Sequence, residues 1–378
     1  MARTIAIFSA QYLPHMGGVE VFTAELAKRL AGDGHRVVVV AAELSGHPSY
    51  EKDAHGFEVY RLPSRELLGG RFPFPRRGGY RRTLAQLATI PFEGVLINAR
   101  FYPHSLAGAR FADKLGIPAV VLDHGSDFVT FGNALLDPAV RAYERVMTGA
   151  LKRHCPRFYG ISEASCQWLR SLGVEPSGVI PNAIDACEFR SLSSGRSFRE
   201  QLGVGADVPL VTFTGRLIPE KGVRAIVGAA THLEEASVPC RFVLAGEGPL
   251  RDELLQAAPR NLSLVGRLDQ PDVSALLQES DVFVFPSRSE GFGSSLLEAA
   301  VCGNALISTK TGISPQLIGR NEGGAYLSEP TAECLEKALT QLLLNKANLM
   351  EKGAIARSNG ESLFSWENTL AAVLDALQ

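Results

Sequence analysis

Residues 281–309 read DVFVFPSRSEGFGSSLLEAAVCGNALIST. DVFVFPS is a continuous apolar run of strand length, and NALIST is another. Between them lie a glycine-flanked turn and a run with helical character, SSLLEAAV. Strand, turn, helix, strand is the repeat of a parallel sheet covered on both faces. The turn also poses a chemical question. A helix N-terminus attracts anions, yet Glu290 stands in this turn and Glu298 eight residues on, inside the helix.

The same alternation extends in both directions. TIAIFS (4–9), RVVVVAAE (36–43), FEVYRLP (57–63), GVLINAR (94–100) and AVVLDHG (119–125) read as strands separated by helical segments, with RFYGIS and GVIPNAID as short strands after them. A second series holds PLVTFTG, RFVLAGEG, LSLVG, DVFVFPS and NALIST. The Ser- and Gly-rich stretch 186–209, with one short helical patch, reads as the linker. The expected fold class is α/β: two doubly wound domains, 1–186 and 187–360, facing a central cleft. A chain of 378 residues is too long for one ordinary core, which agrees with two domains.

Composition narrows the class. Hydrophobic content is 46% and charged content 21%, as in globular proteins, and no apolar run reaches the roughly 20 residues of a membrane span. The N-terminal apolar run reads as a first strand and shows no signal-peptide architecture, so a cytoplasmic location is expected. Six scattered cysteines without a CxxC pair suggest neither a metal site nor a disulfide framework. Residues 1–185 carry 21 Lys+Arg against 17 Asp+Glu, a net +4, and the remainder 17 against 23, a net −6. Such asymmetry points to different partners for the two halves.

In GRLIPEKGV, Arg216 and Lys221 occupy a strand-to-helix loop beside a helix starting near Gly222. Two cations at a helix N-terminus suit a diphosphate; a solvated basic loop is the plainer alternative. Gly17 and Gly18 in MGGVE let backbone N–H groups approach a ligand, or simply make a tight turn. His124, after the strand in VVLDHGSDF, can donate to a substrate hydroxyl or phosphate, or hold a turn. GEGPLRDEL opens with G-x-G, but Arg251 stands where a dinucleotide fingerprint needs glycine, which argues against a dehydrogenase. No D-x-D occurs, so phosphate charge must be met by Arg216, Lys221 and helix N-termini. In the opening stretch, backbone amides around Phe292–Ser295 can face phosphate or sugar oxygens. Glu298 can accept from vicinal hydroxyls such as a ribose presents, and Glu290 from another set, at roughly 1.5–3 kcal/mol per hydrogen bond to a charged acceptor. A capping acid and a surface acid are the plain alternative.

Residues 69–88, GGRFPFPRRGGYRRTLAQLA, interleave Arg71, Arg76, Arg77, Arg81 and Arg82 with Phe72, Phe74 and Tyr80. Read as a loop leading into a helix, they suit an anionic membrane surface or a phosphorylated acceptor, or form a solvated loop. No nucleic-acid-binding module surrounds them.

The ordered set of segments resembles the GT4 family of GT-B glycosyltransferases. It runs from YLPHMGGVEVFTAELAKRLAGDGHRVVVV through ARFYPHSLAGARFADKLGIPAVVLDHGSDF, ISEAS and VIPNAID to GRLIPEKGV, LAGEGPLRDEL and the E-x7-E pair Glu290–Glu298, nearly the whole chain. The resemblance implies a last helix (361–378) crossing back to the first domain, and a UDP- or GDP-sugar donor held mainly by the second. It implies diphosphate contacts for Arg216 and Lys221, ribose contacts for Glu298 and donor-sugar contacts for Glu290. Phe292, Gly293, Ser294 and Ser295 would offer backbone to sugar and phosphates, Leu268 backbone to the base, Gly17 and Gly18 a closing loop, and His124 a contact to the reacting sugar. It further implies retention of anomeric configuration, no metal and no cofactor. The basic aromatic stretch adds the expectation of a membrane-associated hydroxyl acceptor such as a lipid-linked glycan, in polysaccharide or glycolipid synthesis, at the inner face of the plasma membrane. A soluble acceptor, a silent nucleotide-sugar sensor and an epimerase are the rival readings. KTGISPQLIG departs from the family's glycine pair followed by an acid, with Thr311-Gly312 and Gln316 in their place.

Overall fold

The computed structural model describes residues 2–15, 17–43, 46–67, 72–130, 136–320 and 322–378. It divides into two compact units, Met1–Asn182 with Glu367–Gln378, and Ala183–Trp366.

The first unit runs β1 (Thr4–Ser9), α1 (Gly18–Gly32), β2 (Arg36–Ala42), β3 (Tyr50–Lys52), β4 (Glu58–Leu62), β5 (Ser64–Leu67), β6 (Phe72–Pro75), α2 (Arg77–Leu87), β7 (Gly94–Asn98), α3 (Pro103–Leu115), β8 (Ala119–Asp123), α4 (Leu136–Lys152), β9 (Phe158–Gly160), α5 (Glu163–Ser171) and β10 (Gly178–Val179). Its main sheet has the order β10-β9-β8-β7-β1-β2-β4-β3, parallel except for the β3–β4 edge. The strands are buried on both faces because their Val, Ile and Leu runs lack alternation. Phe8, Val38, Val40, Ile97, Phe111 and Val121 form the centre of one core cluster.

The second unit runs α6 (Ala186–Ser191), α7 (Phe198–Gln201), β11 (Leu210–Thr214), α8 (Val223–Glu235), β12 (Arg241–Ala245), α9 (Arg251–Ala257), β13 (Leu262–Gly266), α10 (Gln270–Glu279), β14 (Val282–Phe285), α11 (Ser294–Val301), β15 (Ala305–Ser308), α12 (Ser314–Ile318), β16 (Gly324–Tyr326), α13 (Ala332–Leu343) and α14 (Lys346–Leu363). Its sheet is parallel throughout, in the order β13-β12-β11-β14-β15-β16. The final helix, α15 (Trp366–Ala376), belongs from Glu367 onward to the first unit. There the Arg3 guanidinium donates to the Leu374 carbonyl, and the Thr369 hydroxyl to the Pro181 carbonyl at 2.9 Å.

Two sequence expectations change. The basic aromatic stretch is not a loop over its Phe-Pro-Phe-Pro part: residues 72–75 are β6, paired antiparallel with β5. Of its aromatics, Phe72 packs against Tyr102 and Tyr143, and Tyr80 is buried with its hydroxyl on His104 Nδ1 at 2.8 Å; only Phe74 stays exposed. Arg71 lies outside the described residues, as does the Arg77 side chain, while Arg76, Arg81 and Arg82 are exposed. The stretch at 186–209 holds two short helices, α6 and α7, in place of one helical patch; each is capped by the residue before it, Asp185 and Ser197.

Candidate functional site

In an open parallel sheet, ligands bind beyond the strands' carboxyl ends where the strand order reverses. In the second unit that point lies between β11 and β14, which are neighbours although three strand–helix steps apart in sequence. The residues singled out from the sequence follow these two strands. Arg216 and Lys221 come after β11; Glu290 and Glu298 come after β14.

Lys221 and Glu290 meet directly, Nζ to Oε1 at 2.6 Å, both more than four-fifths buried. Nζ also lies 5.1 Å from the Phe285 ring centre. Ser287 donates its hydroxyl to the same Glu290 oxygen. Backbone joins the two loops as well, with Arg288 N–H donating to the Glu220 carbonyl at 2.8 Å. The approach is this close because residue 222 is glycine. Gly222 sits in the left-handed region (φ 68°) as the N-cap of α8, and a β-carbon there would collide with the Pro286 carbonyl oxygen. Arg216 is exposed, and no acid pairs with its guanidinium among the described residues. The unit thus offers one held cation and one free cation on the same loop.

α11 begins two residues after Phe292, at Ser294, with Gly293 as its N-cap. The N–H groups of Ser294 and Ser295 have no acceptor within the helix, while Leu296 N–H donates to the Gly293 carbonyl at 3.0 Å. Phe292 is buried edge-on against Phe364, and its carbonyl accepts from Ile313 N–H at 2.9 Å. Its side chain is therefore core, and only its N–H can serve a ligand. Gly312 (φ 53°) stands where the family pattern has its glycine pair, and a β-carbon there would strike the Phe292 carbonyl. Glu298 lies in the second turn of α11, and burial pushes its carboxyl up to about 7. Leu268 follows β13, and its side chain packs on a cluster with Phe198 and Leu276.

In the first unit the order reverses between β1 and β7. Gly17 caps α1 in an extended conformation, and the buried Glu20 carboxylate fills the space a β-carbon at Gly17 would need. Glu20 also meets His15 Nδ1 at 3.2 Å. Gly17 thus accommodates an acid of its own helix, while Gly18 is open. His124 follows β8, edge-on to Phe22, with Nε2 3.3 Å from Asn98 Oδ1. The Asn98 amide N–H donates to Thr23 Oγ1 at 2.7 Å, so Oδ1 is the atom facing the histidine. A carboxamide oxygen only accepts, hence Nε2 carries the proton. Burial pushes His124 down to about 3, so the ring is neutral and Nδ1 is left as an acceptor. Sequence alone suggests a donor to the substrate; the nitrogen that remains can instead accept from a hydroxyl. Beneath this loop lies Arg100, fully buried, 2.8 Å from Glu144 and 3.4 Å from Asp123, with its guanidinium 5.3 Å from the Trp168 ring centre. Asp123 ends β8, and Glu144 accepts from Val129 N–H at 2.8 Å, so one guanidinium links the strand end before His124 to the carboxylate that holds Val129. Burial pushes Asp123 up to about 6, with Arg100 opposing the shift.

Residues 195–360 match the family described as glycosyl transferases group 1, and residues 16–187 match glycosyltransferase family 4. The chain belongs to the GT4 glycosyltransferases. It is 24% identical, over 100% of its length and 98% of theirs, to GDP-mannose-dependent alpha-(1-6)-phosphatidylinositol monomannoside mannosyltransferase of Mycobacterium tuberculosis. It is 26% identical to one component of the Homo sapiens phosphatidylinositol N-acetylglucosaminyltransferase, over 97% of this chain and 74% of that one. Among solved structures, sucrose-phosphate synthase of Thermosynechococcus elongatus superposes with a TM-score of 0.74 at 20% identity, covering 99% and 98% of the two chains. Anabaena HepE, solved with UDP and glucose, superposes with 0.71 at 19%, covering 99% of each. These likenesses show the GT-B fold.

Two polar groups of this glycosyltransferase are not evident from sequence. Ser287 holds Glu290, and its only signal is its place at the end of the apolar strand, in FPS. Asn98 orients His124; a polar residue closing the apolar run GVLIN is the available hint.

Proposed function

We propose that this glycosyltransferase moves a sugar from a UDP- or GDP-sugar to a hydroxyl of a lipid-linked or polysaccharide acceptor, with retention of configuration and without a metal. What carries the reading is the Lys221–Glu290–Ser287 contact at the β11/β14 switch point, beside an unpaired Arg216. A cation and a carboxylate held together there serve adjoining parts of one ligand, a charged diphosphate and a hydroxylated sugar. HepE with UDP and glucose, and relatives named for GDP-mannose and phosphatidylinositol substrates, support the donor and acceptor classes.

In the proposed reaction the bond from the anomeric carbon to the diphosphate oxygen breaks. The acceptor oxygen bonds on the same face and passes its proton to the departing phosphate. Arg216, Lys221 and the α11 amides stabilise the charge on the leaving group. Glu290 orients the sugar, Glu298 accepts from the ribose, and His124 accepts from a sugar hydroxyl. The expected absence of a nucleophile makes positioning the main source of rate.

A nucleotide-sugar panel with product detection tests this. Turnover with one donor, lost at least ~100-fold in Lys221→Ala and Glu290→Ala, is expected; no turnover with any donor and acceptor overturns it. No helix among the described residues is long and apolar enough to cross a membrane. Contact with anionic lipid is assigned to the exposed Arg76, Arg81 and Arg82 with Phe74, whose charge and apolar ring suit such a surface. Equal sedimentation of wild type and the triple Arg→Ala variant with anionic vesicles would sink that assignment.

A further inference from the structure

A groove of about 630 Å³ opens at the carboxyl ends of β14, β15 and β16, on the opposite side of β14 from β11. Its wall includes Ser287, Arg288, Lys310, Thr311, Tyr326 and Leu327. None of the described residues lining it is acidic. Elsewhere in this unit Arg190, Arg196, Arg199, Arg224, Arg251 and Arg357 are each ion-paired, as Lys221 is. Arg288 and Lys310 have no acidic partner among the described residues, and both are exposed. Lys310 is instead set at the wall by the Tyr326 ring, its Nζ 5.0 Å from the centre.

We propose that this groove binds an anionic saccharide, a sugar bearing a phosphate or carboxylate, separately from the nucleotide-sugar. Two unpaired cations supply charge-assisted donors. Thr311 and Ser328 add hydroxyls for the sugar, and the volume lies in the range of small-molecule sites. The groove also touches the donor site through one residue. Ser287 lines it, takes a hydrogen bond on its carbonyl from the Thr309 hydroxyl, and gives one to Glu290. Occupancy therefore acts on the carboxylate assigned to the donor sugar; this coupling rests on the function proposed above, while binding in the groove does not.

Calorimetric titration of the full chain at low ionic strength provides the test, with glucose 6-phosphate, glucuronate, glucose and inorganic phosphate as probes. The two anionic sugars bind and glucose does not. The Arg288→Ala/Lys310→Ala variant, matched to wild type in thermal midpoint, binds them at least about 10-fold more weakly and keeps its UDP or GDP affinity. Wild-type affinity in the double variant overturns the site. Equal affinity for inorganic phosphate and glucose 6-phosphate overturns the saccharide assignment. Displacement of the anionic sugar by saturating nucleotide would put it in the donor site and overturn the separation. Loss of nucleotide binding in wild type would instead strike the donor reading and leave the groove standing.

Discussion

At Glu298 and His124 burial sets the protonation state of a single side chain. An acid pushed up to about 7 is half protonated near neutrality, yet only its carboxylate can accept from two hydroxyls. Nucleotide affinity should therefore rise with pH, by up to ~10-fold between pH 6 and 8, and Glu298→Gln should remove that part of the dependence. Calorimetry on both proteins with UDP or GDP checks it. The stability sign runs the other way. In the unfolded chain Glu298 ionises at an ordinary carboxyl value, so the unliganded fold loses stability as pH rises through the window up to about 7. Glu298→Gln should then raise the urea midpoint at pH 8 and leave it unchanged at pH 4. His124, pushed down to about 3, stays neutral through the working range, so His124→Ala should lower kcat without moving either limb of its pH profile. That Arg216, Lys221, Glu290 and Glu298 all follow the ends of apolar strands was legible in the sequence. The Lys221–Glu290 contact was not, because a sequence does not say which loop leans on which.

At the level of elements, the loops after β11 and β14 share a narrow gap that only glycine permits. Gly222→Ala adds a left-handed conformation costing ~1–2 kcal/mol before any collision with Pro286. The variant should show a urea midpoint lowered by at least that much, together with weakened nucleotide binding, since the Lys221 loop must withdraw. The β8–α4 connection depends on Arg100 in the same way. Arg100→Met leaves the buried Asp123 and Glu144 without their cation, at a cost of about 3–5 kcal/mol. Denaturant titration should show this at pH 8 and less of it at pH 5, where Asp123 is protonated. Long apolar strands and the amphipathic α1 could be read from periodicity alone. β6 could not: two prolines in four residues disguise a strand, and its pairing with β5 is an edge contact that tolerates them. β16, three residues around Gly324, lacks the apolar run that marks its neighbours.

For the whole molecule, two parallel α/β units were foreseeable because strand and helix alternate twice over, interrupted by the polar stretch before β11. The groove beyond β14 was not, since Arg288, Lys310 and Tyr326 come from three separate strand ends and have no shared spacing. The chain also crosses between units twice, after Asn182 and again after Trp366. The second unit is thus an insertion within the first, and the segment 367–378 completes the first unit. Leu377 packs where Gly94 has no side chain, and Thr369 bonds back to Pro181. Deleting 367–378 should lower the thermal midpoint of the first unit while the second keeps its own, two transitions by calorimetry in place of the intact pattern. A ribosome delivers this segment only after the entire second unit. The first-made half of the protein is therefore the last to be finished, and during synthesis the apolar surface around Gly94 is open to chaperones for as long as the second unit takes to emerge.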